Sequence, residues 1–228
     1  MIDLYTWFCP NGHKVHIMLE ETGLIYEVNP VAIVAGAQFS DTFTQLNPNN
    51  KVPAIVDHDG LNGATVSLFE TGAILLYLAR KTGQFLPSDE NGQWNVVQWL
   101  MWQMGGLGPM MGQAEHFFHH ADKKDEYATE RYVRETSRLL NVLERQLADR
   151  DYICQDYSIA DMACFPWVRI NKLCGQRISN FPNVAQWYGR IRERPAVARG
   201  LDILKDHYVE IAESPKAKRQ LFGSVAQS

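Results

Sequence analysis

Residues 51–78 constrain the fold more than any other part of the chain. A proline opens the short apolar run Val52–Asp57, and the turn signal Asp59-Gly60 separates it from a second predicted strand, Thr65–Leu68. A helix is then predicted over Glu70–Lys81. Strand, turn, strand and helix in this order predict a β-hairpin that runs directly into a helix N-terminus. Backbone groups beside a helix N-terminus suit a small anionic, peptide-like ligand.

The residues before this segment predict a βαβ unit. Residues 1–7 have the pattern of a strand, a helix over Asn11–Thr22 is opened by Pro10, and a second strand follows at Tyr26–Val31. A short helix is predicted around Ser40–Gln45. Alternating strand and helix favour a partly parallel sheet.

The pattern changes after residue 86, beyond which no strand is predicted. The polar stretch Pro87–Gly92 predicts a linker, and Gly105–Pro109 is expected to kink or interrupt a long helix. The predicted helices are Trp94–Met104, Tyr127–Ala148, Met162–Val168 and Val184–Arg194. Ser158 and Asp161 have the spacing of a capping box before the third of these helices. The chain after about Glu210 is polar and is expected to form a loosely packed tail.

Charge and hydropathy exclude several classes of protein. The 228 residues carry a formal net charge of −4, which gives no electrostatic reason to expect nucleic-acid binding. No apolar run has the length needed to span a bilayer. Because no basic or apolar segment precedes the first predicted strand, we expect no secretory signal. We therefore expect a globular protein without a membrane or nucleic-acid partner.

The four cysteines stand at positions 9, 154, 164 and 174. This spacing fits neither a CxxC redox pair nor a zinc knuckle. The last three lie in helical, apolar sequence, where buried reduced thiols are expected. Reduced thiols are typical of a cytoplasmic protein.

The predicted layout and three motifs resemble the glutathione transferase superfamily. Val52-Pro53 resembles the cis-proline position of that superfamily, and Glu70-Thr71 resembles the acidic–hydroxyl pair that holds the γ-glutamyl end of glutathione. Ser158–Asp161 resembles the capping box of a buried helix in its C-terminal domain. The resemblance implies an α/β plus all-α fold. A thioredoxin-like βαβ–ββα domain over residues 1–86 would precede an all-helical bundle over residues 87–228.

Within the superfamily, roughly residues 1–200 resemble the bacterial nu class, which is of the disulfide-bond reductase type. The strings that carry this likeness are Met1–Tyr5, Pro10–Lys14, Gln38-Phe39, Asn47–Lys51 and Gly105–Met110. The resemblance implies glutathione as co-substrate, no metal, a homodimer, and one glutathione disulfide or two glutathione molecules in each site.

Glutathione, γ-Glu-Cys-Gly, carries two carboxylates, one ammonium and a thiol. A cis Val52-Pro53 bond would turn the Val52 N–H and C=O outward to pair with the cysteinyl backbone of the ligand. Alternatively, Pro53 simply opens an edge strand. Thr71 at the helix N-terminus suits the γ-glutamyl carboxylate, and Glu70 suits the ammonium, although a plain helix cap is the commoner use of such a pair.

The resemblance places Gln38 and Lys51 near the glycyl carboxylate of glutathione. Without it, each would be a routine surface residue. It also implies that Arg131 faces bound glutathione, where a cation would offset the extra carboxylates. The alternative for Arg131 is a surface ion pair along its helix. Three histidines, His116, His119 and His120, lack a complete set of metal ligands and are expected to line the cleft or to pack between domains.

The reactive end of the site centres on Asn11 and Cys9. The amide of Asn11, in the first turn of its helix, can donate a hydrogen bond to the sulfur of glutathione and favour the thiolate. The nu class is expected to have a hydroxyl residue where this chain has Cys9. At a helix N-terminus the pKa of the Cys9 thiol could fall, which would allow a mixed disulfide with glutathione. Alternatively, Cys9 replaces the hydroxyl as a weak donor.

Three functions follow as hypotheses. The first is a glutathione-dependent reductase in which glutathione thiolate attacks small disulfides. The second is a transferase that conjugates glutathione to electrophiles, which the aromatic helical domain favours. The third is a glutathione-binding regulator without turnover, because a fold alone does not establish activity.

Overall fold

The computed structural model describes residues 1–223. A four-stranded sheet in the order β2-β1-β3-β4 forms the first layer. Its strands are β1 (Ile2–Thr6), β2 (Tyr26–Pro30), β3 (Ala54–Asp57) and β4 (Val66–Phe69). β1 pairs with β2 in parallel, and the other two pairings are antiparallel. The βαβ unit and the hairpin predicted from the sequence are therefore confirmed.

Ten α-helices accompany this sheet within the described residues. They are α1 (Pro10–Thr22), α2 (Asp41–Leu46), α3 (Thr71–Thr82), α4 (Glu90–Trp102), α5 (Gly108–Glu115), α6 (Glu126–Gln146), α7 (Ile159–Arg169), α8 (Pro182–Arg192), α9 (Pro195–Asp202) and α10 (Pro215–Phe222). The strands all precede α3, and the chain after it is helical. The expected class, a thioredoxin-like α/β unit followed by an all-α part, is confirmed. None of the helices between residues 1 and 223 is long and apolar enough to cross a bilayer.

Helix α1 joins the two parts of the molecule. Its residues from Gly12 to Leu19 are all buried, because α3 contacts one side of the helix while α7 and α9 pack against it from the helical part. Gly23 ends the helix with φ of 66°, a backbone angle that suits glycine. This packing places the N-terminus of α1 at the junction of the two parts.

A continuous helical stretch runs from α4 to His120. A π-helical segment, Gln103–Leu107, lies between α4 and α5, so the interruption predicted at the glycine-rich string is confirmed as a change of helix type. A second π-helical segment, His116–His120, follows α5. The linker predicted at Pro87–Gly92 is wrong in its second half, because α4 begins there. Asp89 is the N-cap residue of α4, and its Oδ1 accepts a hydrogen bond from the Gly92 N–H at 2.7 Å.

The start of α7 carries a buried carboxylate, Asp161, that accepts several hydrogen bonds. The Asp161 carboxylate accepts from Trp187 Nε1 at 2.8 Å and from the N–H groups of Ile153 and Ser158, each at 3.0 Å. The Ser158 hydroxyl donates a fourth bond at 3.2 Å. The predicted capping box is present, because the Ser158 hydroxyl accepts from the backbone of the first turn while the Asp161 carboxylate accepts from the Ser158 N–H. Burial raises the pKa of Asp161 to about 6, and these four donors act in the opposite direction. One side chain thus holds α7, α8 and the preceding loop together.

Two further predictions concern the cysteines and the tail. Cys154, Cys164 and Cys174 are buried free thiols, as expected. The loosely packed tail is wrong for the described residues after Glu210, because α10 packs against the 3₁₀ turn Ile33–Ala35 with Ala217 buried. The rest of the predicted tail, residues 224–228, lies outside the described residues.

Candidate functional site

A cleft of about 1030 Å³ lies between the sheet layer and the helices. Its size is at the upper end of the range for small-molecule sites. The residues predicted for the site that line it are Cys9, Asn11, Gln38, Lys51, Val52, Pro53, Glu70 and Thr71. Residues that are scattered over the first third of the chain therefore meet on one wall.

The loop that carries Lys51 is held by asparagine side chains. Asn50 Nδ2 donates to the Gln38 backbone oxygen at 2.9 Å, and Asn47 Nδ2 donates to the Lys51 backbone oxygen at 2.6 Å. The Val52-Pro53 bond is cis, as predicted, and the β3 ladder begins only at Ala54. Val52 therefore lies outside the sheet and on the cleft wall.

The N-terminus of α3 forms the next part of this wall. Glu70 precedes the helix with φ of 68°, an unfavourable backbone angle for a residue with a side chain. Its side chain makes no capping bond and faces the cleft. Thr71, the first helical residue, is buried and presents its N–H and hydroxyl beside the open first turn of α3. The pair predicted from the sequence therefore stands at a helix N-terminus on the wall of the cleft.

Lys14 is a cleft residue to which the sequence analysis assigned no role. It is only 2% exposed, and its Nζ donates to Gln103 Oε1 at 2.8 Å and to Thr71 Oγ1 at 3.4 Å. Burial lowers the pKa of Lys14 to about 7. The available signal was its position three residues after Asn11, which puts both side chains on one face of α1.

Cys9 caps α1 in an extended backbone conformation. Its Sγ accepts from the Gly12 N–H at 3.4 Å. The fall in pKa expected at a helix N-terminus is wrong for this thiol, because burial raises its pKa and outweighs the bonds from Gly12 and Asn11. The nearby Glu115 carboxylate adds to the rise. The raised pKa favours the thiol of Cys9 over its thiolate.

Asn11 is oriented by a residue of α7, which is distant in the sequence. Trp167 Nε1 donates to Asn11 Oδ1 at 3.1 Å. Because an indole N–H can only donate, it selects the amide oxygen and leaves the Asn11 NH₂ for another partner. Gly112 makes room for this indole, since a Cβ there would stand 3.2 Å from the ring of Trp167. No sequence signal connects two residues that are 156 positions apart.

The opposite wall comes from helical residues and from the C-terminal segment. Tyr208 packs edge-on against Phe8 with ring centroids 5.5 Å apart, and Phe222 packs against His116 at 4.7 Å. His116 and His120 line the cleft as expected, whereas His119 bonds to Glu210 at 3.3 Å. The sequence analysis missed Tyr208 and Phe222, because it assigned no helix or strand to the segment that carries them.

Arg131 is not brought to this cleft. It is exposed on α6 and lines a separate depression with Tyr132, Arg134 and Arg138. The alternative, an ion pair with Glu135 four residues on, is not seen either, since Glu135 forms a two-bond pair with Arg138 at 2.7 and 2.8 Å. The geometry of the single subunit gives Arg131 no part in the cleft.

The cleft combines three kinds of chemistry. The first turn of α3 with Thr71, and the Gln38–Lys51 corner, suit negative charge at two separate points. The backbone of Val52 between them suits an extended peptide. The Asn11 amide and the Cys9 thiol at the start of α1 suit a sulfur atom as a hydrogen-bond acceptor.

Comparison with known proteins identifies relatives of this architecture. Residues 2–80 match the family described as glutathione S-transferase, N-terminal domain, and residues 106–195 match glutathione S-transferase, C-terminal domain. The disulfide-bond oxidoreductase YfcG of Escherichia coli is 49% identical over 205 residues, which cover 88% of this chain and 94% of YfcG.

Two solved structures are similar over most of their length. A glutathione transferase from Burkholderia graminis, with two glutathione molecules bound per subunit, has a TM-score of 0.85 and 48% identity over 90% of this chain and 88% of its own. One from Pseudomonas putida, with one glutathione disulfide per subunit, has a TM-score of 0.85 and 45% identity over 89% and 91%. Since both family domains match in order, this chain belongs to the glutathione S-transferase family.

Proposed function

We propose that this protein binds glutathione in the cleft and uses its thiolate to reduce small disulfides. The observation that carries the proposal is the Asn11 amide, which Trp167 turns so that its NH₂ group is left for a sulfur at the start of α1. Both the oxidoreductase name of the E. coli relative and the glutathione disulfide in the P. putida structure support it.

In this proposal, Thr71 and the first turn of α3 hold the γ-glutamyl carboxylate, and Glu70 holds the ammonium. Val52 pairs with the cysteinyl backbone, while Gln38 and Lys51 take the glycyl carboxylate. We leave Arg131 out, because it lies in a separate depression. Bound glutathione then presents its sulfur to Asn11 and Cys9.

The chemistry is two thiol–disulfide exchanges. The thiolate of glutathione attacks one sulfur of the disulfide, the S–S bond breaks, and the other half leaves as a thiolate that takes up a proton. A second glutathione thiolate attacks the resulting mixed disulfide, and glutathione disulfide and a second thiol are released. Cys9 assists as a thiol donor, in agreement with its raised pKa.

The test is steady-state reduction of 2-hydroxyethyl disulfide by glutathione. We expect turnover well above the rate of the uncatalysed exchange. The glutathione disulfide that forms is measured in a coupled assay with glutathione reductase. The aryl halide 1-chloro-2,4-dinitrobenzene is the comparison substrate. A dominant rate with the halide would instead assign the conjugating function, which the aromatic pair Phe8 and Tyr208 favours. Binding of glutathione without turnover of either substrate would instead indicate a glutathione-binding regulator.

The Trp167–Asn11 bond predicts the behaviour of Trp167→Phe. Phenylalanine keeps most of the packing but leaves Asn11 Oδ1 without its donor and the amide free to rotate. We expect kcat for disulfide reduction to fall by about tenfold, the value for a lost bond of about 1.4 kcal/mol, with a smaller change in KM. Trp99→Phe, at a partly buried tryptophan of α4 that does not line the cleft, is the matched control and leaves kcat unchanged. Equal kcat in the two variants would contradict the positioning role.

Three further properties belong to the proposal. The domain boundary falls between residues 86 and 87, in the connection from α3 to α4. The protein is a homodimer of the nu class, which the exposed Trp94 and Met101, seven positions apart on α4, support as candidates for burial in an interface. It works in the cytoplasm, in agreement with its buried free thiols.

A further inference from the structure

Lys14 is a buried amine without a counter-ion. Among residues 1–223, no carboxylate oxygen lies within 4.0 Å of its Nζ, although lysines elsewhere in the chain, such as Lys81 and Lys205, have such partners. Its acceptors are neutral: Gln103 Oε1, Thr71 Oγ1 and, at 4.0 Å, Met104 Sδ. A buried ammonium held only by neutral groups is costly.

Thr71 connects this amine to the cleft. Its hydroxyl accepts from Lys14 and donates to Met104 Sδ at 3.4 Å, which is a weak acceptor. A carboxylate at the N-terminus of α3 would offer this hydroxyl a much stronger acceptor. Each bond in a chain from ammonium to hydroxyl to carboxylate then strengthens the next.

We infer that Lys14 is the buried cation of this site and that it takes up a proton from solvent when a γ-glutamyl carboxylate binds beside Thr71. The inference rests on the proposed function, since it concerns the same ligand. The ligand supplies the negative charge that the protein does not place beside the amine, and the proton taken from the buffer completes the ion pair.

The charges around Lys14 agree with this coupling. Burial lowers the pKa of Lys14 to about 7. Three nearby acidic groups raise it by a smaller amount: Cys164 on α7, Cys9 at the start of α1 and Glu70 before α3. The π-helical segment contributes only the neutral Gln103 and Met104. Above pH 7 the free site is therefore mostly uncharged at Lys14, and an added carboxylate raises the pKa of the amine. Affinity for the anion then decreases with pH, by up to about tenfold per unit above pH 7.

The test is calorimetric titration of the full chain with S-methylglutathione, which lacks a titratable thiol. The binding enthalpy is measured at pH 8 in phosphate and in Tris, whose ionisation enthalpies differ, so that their difference counts the protons taken up. For the wild type we expect roughly 0.5 to 0.9 proton per site, and none for Lys14→Met. Lys172→Met, at an exposed lysine that does not line the cleft, keeps the wild-type uptake.

Other outcomes separate the inference from the function. Binding by the wild type without proton uptake, or equal uptake in Lys14→Met, would overturn the role of Lys14 and leave the proposed function standing. Absence of any binding would overturn both. If Lys14→Met does not fold, the wild type alone decides: we expect uptake near zero at pH 6 and a rise above pH 7, and a flat profile refutes the inference.

Discussion

Replacing Asn11 with alanine is expected to lower the turnover of 2-hydroxyethyl disulfide by roughly 10- to 100-fold, because a hydrogen bond to a charged group contributes about 1.5–3 kcal/mol. In the proposed mechanism the lost bond is the one from the Asn11 amide to the sulfur of glutathione. Trp167 donates to Asn11 Oδ1 and so orients the amide. The loss of activity should appear as a lower kcat, because the hydrogen bond strengthens as the thiolate forms.

Cys9→Ser is the informative companion to Asn11→Ala. Serine keeps a small donor at the start of α1, and the raised pKa of Cys9 gives its thiol no special nucleophilicity. We therefore expect turnover within about threefold of the wild type, a change of less than 1 kcal/mol in the barrier. Asn141→Ala, at an exposed position of α6, controls for the substitution itself. Loss of turnover in Cys9→Ser with retention in Asn11→Ala would show a mixed disulfide on the protein instead.

Asp161→Ala is expected to have the largest effect on stability, lowering the free energy of unfolding by about 3–5 kcal/mol. Alanine leaves buried donors from Ile153, Ser158 and Trp187 without their acceptor and removes the capping box of α7. The measurement is urea unfolding followed by tryptophan fluorescence and circular dichroism at pH 7.5. The midpoint should shift strongly to lower urea.

Two variants calibrate this effect. Ser158→Ala removes the cap hydroxyl alone and should cost about 1 kcal/mol. Asp156→Ala, at an exposed aspartate in the preceding loop, should change stability by less than about 0.5 kcal/mol. An unfolding midpoint of Asp161→Ala equal to that of Asp156→Ala would contradict the role of the buried carboxylate.

The pH dependence of this site follows from the direction of the pKa shift. Because the pKa of Asp161 is raised to about 6 in the folded protein, that state binds the proton more tightly than the unfolded chain. The contribution of Asp161 to stability therefore falls as pH rises from about 4 to 6 and is constant above. Asp161→Ala lacks this component, so its stability deficit relative to the wild type should be larger at pH 4.5 than at pH 7.5.

Features that depend on neighbouring residues could be predicted from the sequence. The capping box needs only Ser158 and Asp161 three positions apart, and the hairpin needs only its turn between two apolar runs. Likewise, Pro10 and Gly23 mark the ends of α1 through their own backbone angles. The predicted linker is wrong for the opposite reason, since polar residues such as those around Asp89 are typical of a connection and also of a helix start.

The composition of the cleft was predictable only where a resemblance supplied the spatial arrangement. The residues predicted for the N-terminal wall line the cleft, and their roles stay predictions. Arg131 lines a separate depression of the single subunit, because helical periodicity does not show which face of α6 meets the cleft. The wall formed by Tyr208 and Phe222 was missed, because polar sequence gives no indication of where it packs.

The order of the four strands and the caps of α1 and α7 follow from the sequence alone, since each rests on backbone angles and hydrogen bonds between near neighbours. The cis-proline position and the pair beside the α3 N-terminus needed the family resemblance as well. The chemistry at the start of α1 depends on the tertiary structure. Trp167 meets Asn11 across 156 residues, and burial moves the pKa of Cys9 up and that of Lys14 down. Desolvation and long-range packing depend on the assembled surroundings of a group, which no local pattern contains.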